Sequence, residues 1–191
     1  MESQRSAYAR NAMRHYKLET MTTKKHIKKE EIPFSKIVVN VGIGKMRSIA
    51  QFDDKVLPAI MEELRTITGQ KPAIRKARQS ISSFKIRQGE TVGLQVTFRG
   101  KRMMDFFTRL VVTALPRVKD FRGLPLSNVD GHGILNLGVR EQTVFPEIIA
   151  EKSFHSFGIQ VTIVPKKRMV REGAIEMYRS LGVPLKRSEK D

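Results

Sequence analysis

The sequence predicts an α+β protein in which helices pack on one face of a mainly antiparallel sheet, giving a two-layer sandwich with a long basic loop. Three observations predict this fold. Segments of strict apolar–polar alternation interleave with segments of helical spacing. The alternation favours antiparallel strands with one open face, because buried parallel strands are apolar on both faces. Glycine and proline residues separate the segments.

The first predicted elements are a strand and a helix. A strand is expected at 34–41, where apolar and polar residues alternate. A helix is expected within 52–68, where apolar residues recur with helical spacing. Asp53 or Asp54 is the candidate cap of this helix, and Gly69 is its stop signal.

The middle of the chain is expected to hold further strands. A short strand is predicted at 71–74, and Pro72 keeps it near an edge of the sheet. After a loop at 75–83, a strand region covers 84–99 with an interruption at 88–89. Its second half alternates most regularly, so one side of it belongs to the core.

The last third is predicted to add one helix, two strands and a closing helix. The amphipathic helix covers 101–115 and ends at Pro116. Alternation then predicts strands at 135–140 and 159–164, and helical spacing predicts a helix over 169–181.

The predicted elements fall into one domain. The chain divides into a basic amino-terminal arm at 1–33, a single α+β domain at 34–185 and a charged tail at 186–191.

The charge indicates a polyanionic partner. The formal net charge is +17 and the pI is about 10.5. Nucleic acid is the first interpretation, and an anionic membrane surface is the second. No apolar run approaches the length of a membrane span, so we expect no membrane partner.

Few features of the sequence indicate a catalytic or metal-binding site. The chain has no cysteine, which excludes disulfides and thiolate sites. Its four histidines show no metal-ligand spacing. The two glycines of 42–44 lack the rest of a dinucleotide fingerprint. We therefore expect no enzyme, no cofactor and no metal.

The open face of the predicted sheet has a composition that suits RNA. An ordinary solvated face is the more frequent explanation for any one such strand, but four strands agree here and the net charge is strongly positive. Amide, hydroxyl and guanidinium groups bind phosphates, 2′-hydroxyls and base edges. The residues predicted on this face are Asn40, Gln95, Thr97, Arg99, Asn136, Arg140, Gln160 and Thr162.

A basic loop precedes the most regular strand. Six Lys or Arg and no Asp or Glu lie between Lys71 and Gly89. Phe84 is the only aromatic residue between Gly69 and Phe98, which favours binding by shape and backbone over base stacking. The expected phosphate contacts are Lys76, Arg78, Lys85 and Arg87.

Seven longer sequence blocks stand out, namely KIVVNVGIG at 36–44, ITGQKP at 67–72, KARQSI at 76–81, FKIRQG at 84–89, VTFRGKRM at 96–103, LPRVKDFRGL at 115–124 and LGVREQTVFPEI at 137–148. These blocks resemble the ribosomal protein L-five family of bacterial type, the large-subunit proteins that bind 5S rRNA. Their order and spacing fit the family from about 34 to 164.

The resemblance implies a structural protein of the central protuberance, in a ribosome of a bacterial cytoplasm or of an organelle (mitochondrial or plastid) matrix. Implied partners are 5S rRNA, large-subunit rRNA, P-site tRNA, other central protuberance proteins and the small-subunit head protein S-thirteen. The implied 5S rRNA-binding residues are Asn40, Val41, Gln95, Thr97 and Arg99. The loop facing tRNA carries Lys76, Arg78, Ser80, Lys85 and Arg87. The small-subunit bridge is expected at Asp130, His132, Arg140 and Glu147.

Some stretches depart from the family pattern, and other functions stay open at this point. The departures are the segment before Phe34, 130–136, the segment after Ile148, and 166–168; they indicate a divergent bridge and last helix, as in a reduced or organellar ribosome. An RNA chaperone or non-ribosomal RNA-binding module is the first alternative. An enzyme acting on a phosphorylated substrate is the second.

Overall fold

The computed structural model describes residues 33–84, 86–153 and 155–187. The predicted arm, apart from Pro33, therefore lies outside the described residues. The same holds for Lys85 and for the last four residues of the predicted tail.

A single antiparallel sheet forms one layer of the described chain. Its strand order is β2-β3-β1-β5-β4, so β2 and β4 are the edges. Every neighbouring pair is antiparallel, which confirms the predicted fold class. The strands are β1 at Phe34–Gly42, β2 at Ala73–Lys76, β3 at Thr91–Phe98, β4 at Leu135–Val139 and β5 at Ile159–Pro165.

Helices form the second layer. They are α1 at Leu57–Thr68, α2 at Gly100–Arg109 and α3 at Arg171–Ser180. A π-helical turn at Phe52–Val56 leads into α1, and another at Leu110–Ala114 continues α2. Gly69 ends α1 in the left-handed conformation with φ 68°, as its position predicts.

The core lies between the two layers. On β1 the apolar residues Ile37, Val39 and Val41 are at most 1% exposed, because strand alternation points them towards the helices. The rings of Phe98 on β3 and Phe106 on α2 stack with centroids 4.5 Å apart. Burial of these side chains is the main source of stability that the alternating pattern encodes.

Three predictions about local structure are wrong. Neither Asp53 nor Asp54 caps the first helix, because the chain enters through the π-helical turn after Gln51, whose φ is 56°. The strand predicted from residue 84 does not begin until Thr91; among the described residues just before it, Ile86 forms an isolated bridge with Ile81 beside a 3-10 turn. The strand expected at 71–74 is β2, which begins two residues later, at Ala73.

Tyr178 connects α3 to the sheet. Its ring is fully buried and stacks with Phe34 at a centroid distance of 6.0 Å. Its hydroxyl donates to the carbonyl oxygen of Gly133 at 2.9 Å. Burial raises the pKa of Tyr178, because the phenolate would lose its hydration.

Replacing Tyr178 with phenylalanine is expected to lower the unfolding free energy by about 1 kcal/mol near pH 8, since one buried hydrogen bond is lost while the ring remains. In the wild type, the Tyr178 phenol of the unfolded chain ionises at about pH 10, whereas the phenol of the folded protein stays protonated at that pH. The higher unfolding free energy of the wild type is therefore fully present below about pH 10 and declines as the pH rises above it. Urea unfolding of both proteins at pH 8 and pH 11 measures it; an advantage of equal size at both pH values would contradict the assignment.

Candidate nucleic-acid interface

Polar side chains occupy the face of the sheet opposite the helices. Asn40 lies on the central strand and pairs with Gln95 on β3 and with Gln160 on β5. All three alternate with buried residues, so their side chains point away from the core. One row thus crosses three strands with amide groups only.

A second row runs parallel to the first. Val38 pairs with Thr97 on β3 and with Thr162 on β5, and Thr162 pairs with Asn136 on β4. The hydroxyl of Thr162 donates to the Oδ1 atom of Asn136 at 2.8 Å. Thr97 is exposed, so its hydroxyl is accessible from the solvent side. The two rows confirm the predicted polar face.

A chain of hydrogen bonds orders the first row. The Nε and Nη2 atoms of Arg75 both donate to the Oε1 atom of Gln95, the former at 2.9 Å. The Nε2 atom of Gln95 donates to the Oδ1 atom of Asn40 at 2.8 Å. Arg75 was predicted to lie in a loop and was therefore not expected on this face. Because β2 begins two residues later than predicted, Arg75 lies on the sheet.

The first row borders an open depression of about 440 Å³ at one end of the sheet. Its lining includes Asn40, Gln160 and the glycines at 42, 93 and 158. A Cβ atom at Gly93 would lie 3.0 Å from the carbonyl oxygen of Val41, so no larger residue fits there without movement. Bare main chain therefore forms part of the floor.

Two of the residues implied for 5S rRNA need separate comment. The side chain of Val41 is 1% exposed and points into the core, so strand alternation leaves only its main chain for a ligand. This corrects the placement of its side chain on the binding face. Arg99 directly follows β3 in an extended conformation and is exposed.

The basic loop leaves the sheet as a hairpin between β2 and β3. At its base, the amide of Ala77 donates to the carbonyl of Glu90 at 2.8 Å. Near its tip, Ile81 and Ile86 exchange two hydrogen bonds at 2.8 and 3.1 Å. The hairpin is thus held by its own main chain.

The predicted cations of the loop are exposed where the structure describes them. Lys76 ends β2, and Arg78 and Arg87 follow on the two arms of the hairpin. Lys85 lies outside the described residues. The hydroxyl of Ser80 accepts from the amide of Gln88 at 2.9 Å, which gives Ser80 a role in shaping the loop.

Glu90 anchors the base of the hairpin. Its Oε2 atom accepts from the amide of Arg87 at 2.8 Å and lies 2.8 Å from the Nη1 atom of Arg47. Arg47 belongs to the 3-10 turn that follows β1, Gly44–Ser48. The ion pair therefore joins the hairpin to the central strand.

The tip of the hairpin presents an aromatic ring. Phe84 is 72% exposed and Ile81 is 45% exposed. Base stacking by the loop was not expected from the sequence, because Phe84 is a single aromatic residue. The structure exposes this ring to solvent at the tip of the hairpin.

The four residues expected at the small-subunit bridge come from the segments before and after β4. Asp130 and His132 precede β4, and Arg140 and Glu147 follow it. The five residues of β4 span about 15 Å, which separates Arg140 from the turn that holds Asp130 and His132.

Two of the four have internal partners. The Oδ1 atom of Asp130 accepts from the amides of His132 and Ile134, both at 2.8 Å, and so shapes the turn. The Oε1 atom of Glu147 lies 2.5 Å from the Nη1 atom of Arg109 on α2. His132 and Arg140 are exposed.

No group of His, Cys, Asp and Glu side chains in the described part of the chain has the geometry of a metal site. None of the helices described is long and apolar enough to cross a membrane.

A helix-backed antiparallel sheet with an open face of amides and hydroxyls, a cationic hairpin and a net charge of +17 defines an RNA-binding protein of the α+β class. Comparisons with known proteins specify the class. The family described as ribosomal protein L5 matches residues 29–87, and the model that describes the C-terminus of the same ribosomal family matches residues 91–185.

Similar proteins agree with these matches. The large ribosomal subunit protein uL5 of Anaeromyxobacter sp. (strain Fw109-5) is 48% identical over 151 residues, which cover 79% of this chain and 81% of that protein. The protein of the same name from Desulfosudis oleivorans is 47% identical over 157 residues, covering 82% and 85%. The one from Rubrobacter xylanophilus is 48% identical over 151 residues, covering 79% and 81%.

The chain belongs to the ribosomal protein L5 family. It is a structural, non-enzymatic constituent of the large ribosomal subunit and associates with rRNA. The family resemblance seen in the sequence blocks is thereby confirmed.

Proposed function

We propose that the polar sheet face binds 5S rRNA in the central protuberance, while the basic hairpin extends towards P-site tRNA. The observation that carries the first part is the pair of outward rows on the sheet, one with Asn40 on the central strand and one that runs from Thr97 on β3 to Asn136 on β4. Taken together, the two rows draw amides and hydroxyls from four strands, which suits a structured RNA better than a flexible one.

The hairpin supports the second part of the proposal. Its described cations are exposed, its main chain is hydrogen-bonded and its base is fixed through Glu90. A loop of this kind can hold positive charge at a fixed distance from the sheet. Such contacts position a phosphate backbone without reading its sequence.

A third part concerns the small-subunit head. We place a contact with protein S-thirteen at the exposed residues His132 and Arg140. Asp130 and Glu147 would support it indirectly, by shaping the turn before β4 and by fixing the segment after β4 to α2. The arm at 1–33 and the tail at 186–191 belong to the same proposal as flanks of the RNA-binding domain.

Replacing Thr97 with valine and Arg99 with glutamine tests the sheet assignment. The affinity for 5S rRNA is expected to fall about 10- to 100-fold, since one neutral and one charged hydrogen-bonding group are lost. A gel-shift titration at fixed salt measures it.

A matched control comes from α1, where Arg65 and Thr66 are exposed on the helical layer. The same two replacements there remove the same groups and the same charge, and are expected to leave the affinity within about threefold. Urea unfolding checks that both variants are folded. Equal affinities of the sheet variant and the wild type would refute the assignment.

A further inference from the structure

The hydrogen bonds from Arg75 through Gln95 to Asn40 run in one direction. A guanidinium group carries donors only. The oxygen of the Gln95 amide must therefore face Arg75, and both hydrogen bonds between these residues have that sense. The NH2 group of Gln95 is then left to face Asn40.

The direction continues to the central strand. Because Gln95 offers a donor, Asn40 must offer its oxygen, and the distance of 2.8 Å between Nε2 and Oδ1 fits that bond. The NH2 group of Asn40 is consequently left for a ligand. Among the described residues, no side chain accepts a hydrogen bond from this Nδ2 atom. Asn40 lines the open depression at the end of the sheet.

We propose that Arg75 is a positioning residue that fixes both amides so that the centre of the sheet presents a hydrogen-bond donor. The ligand atoms at Asn40 are then acceptors, namely the phosphate and ribose oxygens of an RNA backbone. The inference rests on the proposed binding of 5S rRNA to this face. It adds that the sheet donates and the RNA accepts the hydrogen bond at Asn40, and that Arg75 sets this direction.

Replacing Gln95 with glutamate reverses the polarity. A carboxylate accepts only, so it would accept from Arg75 and also from the Asn40 amide nitrogen. Asn40 would turn, and its oxygen would face the acceptors of the RNA. The affinity for 5S rRNA is expected to fall at least about tenfold, as for a lost hydrogen bond with an unpaired acceptor left behind.

Asn136→Asp is the matched control. It is the same amide-to-acid change on the same face, and the carboxylate still accepts from Thr162, so the added charge comes without a reversal. Because Asn136 belongs to the proposed RNA face, the added charge is expected to weaken binding, but clearly less than Q95E does. Losses of equal size in Q95E and N136D would overturn the inference, because charge alone would explain them.

The role of Arg75 is separated from a direct phosphate contact by two measurements. R75K keeps a donor-only group and is expected to bind within about threefold of the wild type, whereas R75Q is expected to lose about fivefold. If Arg75 acts through Asn40, R75Q has almost no further effect in an Asn40→Ala background. The slope of log affinity against log salt also stays unchanged.

A direct contact predicts the opposite for both measurements. The effect of R75Q would persist in the Asn40→Ala background, and the slope would weaken by about 0.9. Either result overturns the positioning role. If the replacements of Thr97 and Arg99 weaken binding while Q95E does not, only this inference fails. If neither weakens binding, the proposed function of the face fails.

Discussion

Replacing Phe106 with alanine is expected to lower the free energy of unfolding by about 3–5 kcal/mol. Phe106 is 1% exposed and lies between Phe98, at a centroid distance of 4.5 Å, and Phe145, at 6.3 Å. Its loss would leave a cavity between α2 and β3 and remove two ring contacts. Since small domains have only about 5–15 kcal/mol in total, this is a large fraction.

Urea unfolding followed by circular dichroism measures the change. Phe84→Ala is the matched control, because the same atoms are removed from a ring that is 72% exposed. That control is expected to stay within about 0.5 kcal/mol of the wild type. Similar losses for the two variants would show that Phe106 is not part of a packed core.

Neutralising the cations of the hairpin is expected to separate two RNA contacts. The variant replaces Lys76, Arg78, Lys85 and Arg87 with glutamine. In ribosomes carrying it, P-site tRNA is expected to bind at least about tenfold more weakly, and the salt slope is expected to weaken by up to about 3.6 for four phosphate contacts. Affinity of the isolated protein for 5S rRNA should remain within about threefold.

A matched control removes two lysines and two arginines from the helical layer, at Lys55, Arg65, Lys101 and Arg102, all of which are exposed. The control keeps the net charge equal to that of the hairpin variant, so any difference reports the position of the charges. Filter binding of tRNA and gel shifts with 5S rRNA provide the two readouts. A comparable loss of 5S rRNA affinity in the hairpin variant would show that the loop is assigned to the wrong RNA.

Much of the fold was predictable because its signals are local. Alternation in the sequence identified β1, the main part of β3, β4 and β5, since a strand with one buried face needs that period. The same reasoning correctly placed Asn40, Gln95 and Thr97 on the open face. Alternation with a period of two can be recognised within a single strand, without reference to the rest of the chain.

The errors arose where local structure depends on contacts between segments that are distant in the sequence. Residues 86–90 were expected to extend the strand, yet the pairing of β2 with β3 that the structure describes ends at Lys76 and Thr91. The partner of Glu147 could not be identified from the sequence either, because Arg109 on α2, with which it forms an ion pair, lies 38 positions earlier in the chain. Arg75 was assigned to a loop, and only the pairing of β2 with β3 brought it to Gln95.

By itself the sequence determined the fold class, the family and the strongly cationic character, since composition, periodicity and motif order are properties of the linear chain. The tertiary structure alone decided which polar groups share a row, how Arg75 orients the amides of Gln95 and Asn40, and which acidic side chains are already paired. The physical reason is that hydrogen bonds and ion pairs act over a few ångströms. Residues 20 or 55 positions apart meet only after the sheet has formed.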